Sequence, residues 1–311
     1  MMLNKPFLAK CDDRRVLPKE HPTSGNPDDW FHNDLISKVG LTGISFDYFI
    51  NWKESSPIVT PVIWIKRFLQ TEYSYDALLG NVDKAIKEEF GTNYIKVLSE
   101  FANKYSLAVQ FIIFKDEQDW TSASSQICIV NLNLDNNTFE PDLINLDGFK
   151  LLIQTYSGGA VSVGTKGLIY GTSRLECTLS HTNAAYPGDM DLLVLNEQFS
   201  PVLMLEYKKD TQGGPIENQK LSNYYPSRDK RKYDRLAIFR DFLQTQVQQI
   251  PIAVVYYSTS TAITQIKIEL INGEPNAVKS LASKVFNKNQ TGNHEGSADL
   301  IKAIVDKYYI L

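Results

Sequence analysis

Apolar and polar residues change rhythm several times along the chain, and each change marks a different kind of element. From about residue 75 the spacing is helical. Leu78, Leu79, Val82 and Ile86 recur three and four residues apart, and Gly91 stands where that helix would end. A second helix carries Tyr94, Val97, Leu98, Phe101 and Tyr105 on one face. Three strands are expected next, over residues 107–114, 126–134 and 149–156, with DNNTFEPD and SGG as turn material. Residues 57–65, PIVTPVIWI, are apolar and β-branched, but two prolines point to an edge strand or an extended segment. Upstream the pattern dissolves. HPTSGNPDDW, residues 21–30, is rich in turn formers and reads as loop.

After residue 160 the rhythm changes again. GTSRLECTLSHT, residues 171–182, can open a helix with Thr172 or Ser173 as its cap. Two apolar runs follow, separated by the turn NEQFSP. The first has Asp189 and Asp191 at its head, and the second has Glu206 and Lys208 near its tail. The loop TQGGPIENQ leads to a long helix over residues 231–249, burying Leu236, Phe239, Phe242 and Leu243 and stopped by Pro251. PIAVVYYS is almost wholly apolar, as befits a strand covered on both faces. ITQIKIELI alternates like a more exposed strand, and ADLIKAIVDKYYIL closes the chain as an amphipathic helix. The order of elements implies an α/β protein in two parts. A mixed α+β lobe over residues 1–160 precedes a domain over residues 161–311 with a mixed sheet flanked by helices.

Composition narrows this only a little. With 311 residues, 43% hydrophobic and 22% charged, the chain has the make-up of a globular protein of one large or two ordinary domains. A net charge of −4 means that a polyanion would be met by a local patch, not by the whole surface. Cys11, Cys128 and Cys177 are odd in number and far apart, with no CxxC pair and no disulfide framework, so a reducing cytoplasm is expected. The start MMLNKPFLAKCDD lacks a signal-peptide core, and no run approaches the ~18 apolar residues of a membrane span. No spacing of His and Cys suggests zinc, and no phosphate-binding GxxxxGK[ST] loop occurs. All four tryptophans, Trp30, Trp52, Trp64 and Trp120, precede residue 121 and read as packing residues, since few basic residues accompany them.

The chemistry concentrates between Pro187 and Asp210. Residues two apart on a strand share a face, so Glu206 and Lys208 point one way and Leu205 and Tyr207 the other. An antiparallel hairpin through NEQFSP would bring Asp191 beside Glu206. Two carboxylates at one point repel unless a cation lies between them, and magnesium accepts one or two protein carboxylates plus waters. The lysine can hold or deprotonate a water, or neutralise charge building on a phosphate.

Asp191, Glu206-Tyr207-Lys208 and the apolar strands around them resemble the PD-(D/E)xK nuclease superfamily, over roughly residues 165–258. The resemblance implies a restriction-endonuclease-like core and Mg²⁺- or Mn²⁺-dependent cleavage of phosphodiester bonds, with DNA the expected substrate. It implies that Asp191 and Glu206 bind metal, that the carbonyl of Tyr207 is a further ligand, and that Lys208 positions the attacking water. Many members add a helical acid, and Glu176 is the match. The motif's Pro-Asp is split here as Pro187-Gly188-Asp189-Met190-Asp191, so Asp189 competes with Asp191 for the metal or serves a second one.

Substrate contact has one candidate region. Arg228, Lys230, Arg231, Lys232, Arg235 and Arg240, with Lys209 and Lys220 before them, form the densest basic stretch in an acidic protein. Such residues hold phosphates without choosing a base sequence, although Asp229 and Asp234 offset part of the charge. Cutting both strands with one site per chain is easier for a homodimer. The alternatives are an effector of a defence or mobile-element system that a protein partner activates, and a nucleic-acid-binding module that no longer cleaves.

Overall fold

The computed structural model describes residues 1–12, 14, 30–164, 167–211, 213–244, 249–260, 262–287, 301 and 304–307. The loop expected over residues 21–30 therefore lies, apart from Trp30, outside the described residues, as do residues 245–248 of the long helix expected to reach Gln249. Two compact units form. The first comprises Met1–His21 and Phe46–Asp189, and the second Pro22–Ser45 and Met190–Leu311. The sequence suggested a boundary at residue 160. Instead residues 161–189 belong to the first unit, and the second borrows a segment from near the N-terminus.

In the first unit, β1 (Leu3–Asn4) and β2 (Ala9–Lys10) precede β3 (Thr42–Asn51), which enters this unit at Phe46, and β4 (Ile58–Leu69). Helices α1 (Tyr75–Leu79), α2 (Val82–Phe90) and α3 (Thr92–Lys104) then cross over to β5 (Ala108–Phe114), which is parallel to β4. The single helix expected from Leu78 to Ile86 is broken at Gly80 and Asn81, where Gly80 caps the C-terminus of α1. Strands β6 (Ile127–Asn133) and β7 (Thr138–Ile144) extend the sheet antiparallel. Thus FEPD, expected as turn, is part of a strand. Pro141 is tolerated because β7 is the last strand in the sheet order, where a missing N–H breaks no ladder.

Two further elements differ from the sequence pattern. Residues 149–156 are helix, not strand: α4 spans Leu146–Tyr156, and the Asn145 side chain accepts from Gly148 N at 2.9 Å. Leu146, Phe149 and Ile153 are the buried positions, three and four apart, while Leu151 is 64% exposed. The run of apolar letters hid a helical period. Nor is β4 an edge strand, since it lies between β3 and β5. Pro61 is accommodated because the β3–β4 register shifts between Tyr48 and Phe49, opposite Ile63 and Thr60, and pairing with β5 begins only at Val62.

The core of this unit gathers Phe49, Trp64, Phe68, Ile112, Phe114, Phe149 and Ile153 with Leu175 and Leu179. Leu175 and Leu179 belong to α5 (Arg174–Leu179), capped by Ser173 as the sequence suggested and preceded by β8 (Tyr170–Gly171), which pairs with β2. Trp64 is fully buried, stacks on Phe149 at 5.1 Å and donates to Gln110 Oε1 at 2.7 Å. Trp120 packs on Phe114, and in the second unit Trp30 packs on Tyr257, so these two and Trp64 have the packing role expected of them. Cys11 and Cys177 form a disulfide, with Cα atoms 5.4 Å apart. This corrects the expectation of unpaired cysteines, and the argument for a reducing compartment loses that support. The partners are 166 residues apart, so only the β2–β8 pairing reveals them.

In the second unit, which β9 enters at Met190, the sheet runs β9–β10–β11–β12–β13. The strands are Gly188–Leu195, Pro201–Asp210, Ile252–Ser258, Gln265–Asn272 and Lys279–Asn287. β9 and β10 form the expected antiparallel hairpin, and its turn is held by Asn196 Oδ1, which accepts from Gln198 N and Ser200 N. β10 and β11 are parallel, joined through α6 (Lys230–Leu243). The helix ends at Leu243, before Pro251, and Phe242 is 37% exposed and not part of its buried face. Every residue of β11 is buried, whereas β12 is more covered than its alternation suggested. One face of the sheet presents Leu192, Val194, Leu203, Leu205, Val255, Tyr257, Ile266 and Ile268. It packs against Phe31, Ile36 and Leu41 and against Ile301 and Ile304 of the C-terminal segment, where residues 301 and 304–307 are helical. No helix among the described residues is long and apolar enough to cross a membrane.

Candidate functional site

The register of the hairpin builds the site. Pairing of β9 and β10 reaches Leu192 opposite Leu205, so continuing it one residue sets Asp191 against Glu206. There the backbone ladder gives way to a side chain: Asp191 Oδ2 accepts from Tyr207 N at 2.5 Å. β10 continues from Tyr207 to Asp210 paired with β11, so its far end keeps its rigidity on that side. Leu205 and Tyr207 face the apolar cluster of Phe31 and Val255, and Phe31 stacks on Tyr207 at 6.1 Å. By alternation Glu206 and Lys208 point to the other face, where α6 begins.

Glu206 meets the first turn of that helix and Lys208 meets its N-cap residue. Glu206 is 0% exposed, and Lys232 Nζ lies 2.6 Å from its Oε1. Lys208 Nζ forms an ion pair with Asp229 and sits 4.6 Å above the ring of Tyr224. Asp229 is the N-cap residue of α6, yet its side chain makes no capping bond, because it serves Lys208 instead. Burial, with the Glu206 carboxylate second, pushes the Tyr233 hydroxyl well above its ordinary range. Tyr224 is pushed up to about 12, first by burial and then by Asp210 and Asp229. Both phenols stay protonated at neutral pH and act as neutral walls of the site.

The basic stretch divides on inspection. Arg228 and Arg231 at the start of α6, and Lys220 before it, are exposed. Lys230 pairs with Asp234, and Lys232 with Glu206. Arg240 is 4% exposed and donates to Asn272 Oδ1 and Gly273 O, which is a structural role. Arg235 is half-buried. Lys209 lies on the opposite face from Lys208, with its Nζ 6.0 Å from the Tyr257 ring, so it does not join the patch at the head of α6. Three cations in the first turn oppose the helix dipole, which favours anions there. Such an arrangement is sustained by partners, as Asp234 serves Lys230 and Glu206 serves Lys232.

The remaining expected site residues, Glu176 and Asp189, belong to the first unit. Glu176 lies on α5 and is 9% exposed. Its Oε2 accepts from Thr172 N at 2.6 Å, and its Oε1 accepts from Thr172 Oγ1 at 2.7 Å and pairs with Lys66. Lys66 also lies 4.4 Å above the ring of Tyr186. Burial lowers its pKa, while Asp47, Asp189 and Asp116 oppose that shift. Burial raises Asp47 to about 6, Lys66 pulling it down and Asp189 pushing it up. This charged cluster was not anticipated. The signal was available, since Lys66 and Asp47 each interrupt an apolar strand run, in VIWIKRFL and GISFDYFIN.

The donor chemistry around β10 fits a hard divalent cation. Asp191 and Glu206 supply carboxylate oxygens and Tyr207 a carbonyl, and the buried Glu206 already has a positive group at bonding distance. Among the described residues, no cluster of three or more His, Cys, Asp or Glu side chains is arranged to hold a metal ion. Magnesium needs only one or two carboxylates with waters completing its shell. Comparison with protein-family models, with curated proteins and with solved structures found no match.

Proposed function

We propose that this protein is a Mg²⁺- or Mn²⁺-dependent nuclease that hydrolyses phosphodiester bonds, with DNA the expected substrate. The observation that supports this reading is the placement of Asp191 and Glu206 across the end of the β9–β10 ladder, with Lys208 on the same face as Glu206. The parallel return through α6 to β11 agrees with a restriction-endonuclease-like core.

In this reading a bound divalent ion lowers the pKa of a water and offsets charge on the phosphate. Asp191 and Glu206 would hold it, with Tyr207 O as a third oxygen. Lys208 leaves Asp229 to orient the attacking water or to face the phosphate. Arg228 and Arg231 meet the flanking backbone phosphates.

The test is a plasmid-nicking assay with and without EDTA, comparing wild type with Lys208→Ala. Loss of a positioned proton-handling group should slow cleavage by roughly 10²–10⁴-fold. The fold should survive, because only a partly exposed ion pair is lost. Undiminished metal-dependent nicking by the variant sinks the assignment. A second reading, a nucleic-acid-binding module that does not cleave, is favoured by the complete burial of Glu206 beneath Lys232. Wild-type protein that binds DNA yet nicks in neither metal would select it.

A further inference from the structure

Burying a carboxylate completely is costly unless a positive group neutralises it. For Glu206 that group is Lys232 Nζ, 2.6 Å from Oε1. Lys232 comes from the first turn of α6, and its side chain is 30% exposed, so it reaches inward from the solvent edge to a partner that is itself closed off. The neighbouring pair has the same form. Lys208 of the strand is held by Asp229 of the helix, one residue before α6 begins. Strand and helix thus present a charge-complementary clasp, glutamate to lysine and lysine to aspartate.

We infer that Lys232 is a built-in counter-ion that occupies the cation position at Glu206, so that a divalent metal binds by displacing it toward solvent. The inference rests on the nuclease reading of Asp191 and Glu206. The geometry supplies the reason: an ammonium 2.6 Å from a carboxylate closed off from solvent fills the approach to that oxygen and repels a second cation, so lysine and metal compete for it. Two consequences follow. The metal-free chain keeps Glu206 neutralised and the unit folded, and metal affinity is reduced by the free energy needed to remove the lysine. Once displaced, Lys232 stands at the head of α6 beside Arg228 and Arg231, where a phosphate would give it a new partner.

The experiment measures Mn²⁺ binding, without nucleic acid, by calorimetry and by electron paramagnetic resonance. Wild type, Lys232→Gln, Lys232→Met and Glu206→Gln are compared. Lys232→Gln keeps a hydrogen-bond donor for the buried carboxylate and guards against loss of folding in the methionine variant. The expected result is one Mn²⁺ site that both Lys232 variants bind roughly tenfold or more tightly than wild type, and that Glu206→Gln removes. The unaltered chain gives an independent readout. Amine-reactive labelling of Lys232 should rise on adding Mn²⁺, while labelling of Lys230 should not. Lys232 variants with wild-type or weaker affinity, or unchanged Lys232 labelling at saturating Mn²⁺, overturn the displacement while leaving the metal site intact. No Mn²⁺ binding by any chain, or binding indifferent to Glu206→Gln, removes the metal site itself and the inference with it.

Discussion

Glu176 offers the sharpest test of how the acids of this chain divide between architecture and chemistry. Replacing it by glutamine keeps the shape and removes the charge. In the native protein its two oxygens accept from Thr172 N at 2.6 Å and Thr172 Oγ1 at 2.7 Å and pair with the buried Lys66. A carboxamide has one acceptor oxygen and presents an NH₂ where the second oxygen was. Whichever way it turns, at least one donor then faces another donor. Losing bonds to a charged partner costs about 1.5–3 kcal/mol each. Stripping a buried ion of its partner altogether costs about 3–5 kcal/mol. The upper figure does not apply, because Asp47 and Asp189 still act on Lys66. The expected destabilisation is therefore about 3 kcal/mol. With an m-value of about 2–3 kcal/mol/M, the urea midpoint of the first unit falls by about 1 M. Trp64, buried against Phe149 in that unit, is the fluorescent reporter. Folded Glu176→Gln protein should bind Mn²⁺ as wild type does. A midpoint within about 0.2 M of wild type, together with weakened Mn²⁺ binding, would refute the architectural role and return Glu176 to the metal.

Three shorter predictions concern backbone, capping and titration. Gly273→Ala places a Cβ 2.3 Å from Ala277 O at a φ of +118°, so calorimetry should find it destabilised by about 2–3 kcal/mol. Ser173→Ala removes the cap that accepts from Glu176 N at 3.1 Å and should cost about 1 kcal/mol in urea unfolding. Asp47 titrates in the folded protein at about 6, above its ordinary 3.8, so the native state binds the extra proton between those values. Its contribution to stability is present at low pH and is lost as pH rises through about 6. Asp47→Asn should flatten that part of the stability–pH curve, and carbon NMR of the Asp47 carboxyl should give a midpoint near 6 rather than near 4.

Where local chemistry decides structure, the sequence was legible. The turn NEQFSP closes through the side chain of Asn196, a bond that depends on residues four apart at most. The almost wholly apolar IAVVYYS is a strand buried along its length. Alternation along β10 separates Glu206 and Lys208 from Leu205 and Tyr207 as two-residue periodicity requires. Legibility fails where distant parts decide. Leu146, Phe149 and Ile153 form a helical stripe only if Leu151 is allowed to face solvent, and letters alone do not say so. Pro61 argues against an interior strand until the bulge opposite it is seen. The Cys11–Cys177 bond and the division of the chain at residues 189 and 190 depend on pairings across more than a hundred residues. The partners of the motif are hidden for a related reason. Lys232 and Asp229 lie in a basic stretch that reads as a solvent-facing phosphate patch, and only the phase of α6 against β10 turns them inward.

Those partners separate two acids that composition cannot tell apart. Glu176 and Glu206 are both buried glutamates paired with a lysine. Around Glu176 the neighbours are fixed. Thr172 and the helix cap lie on its own segment, and Lys66 comes from an interior strand and is 8% exposed. An incoming cation would have to displace groups that have nowhere to go. At Glu206 the neighbouring ammonium belongs to a side chain at the open end of a helix, already 30% exposed, that can move into water without disturbing a strand. Lysine in solvent is well hydrated and loses little by the exchange, whereas the carboxylate needs a cation wherever the lysine goes. Exchange of one positive group for another is therefore easier at Glu206 than at Glu176. On that ground the metal chemistry we propose falls to Asp191, Glu206 and Lys208, whereas the bonds of Glu176 to Thr172 hold the turn that precedes them in the chain.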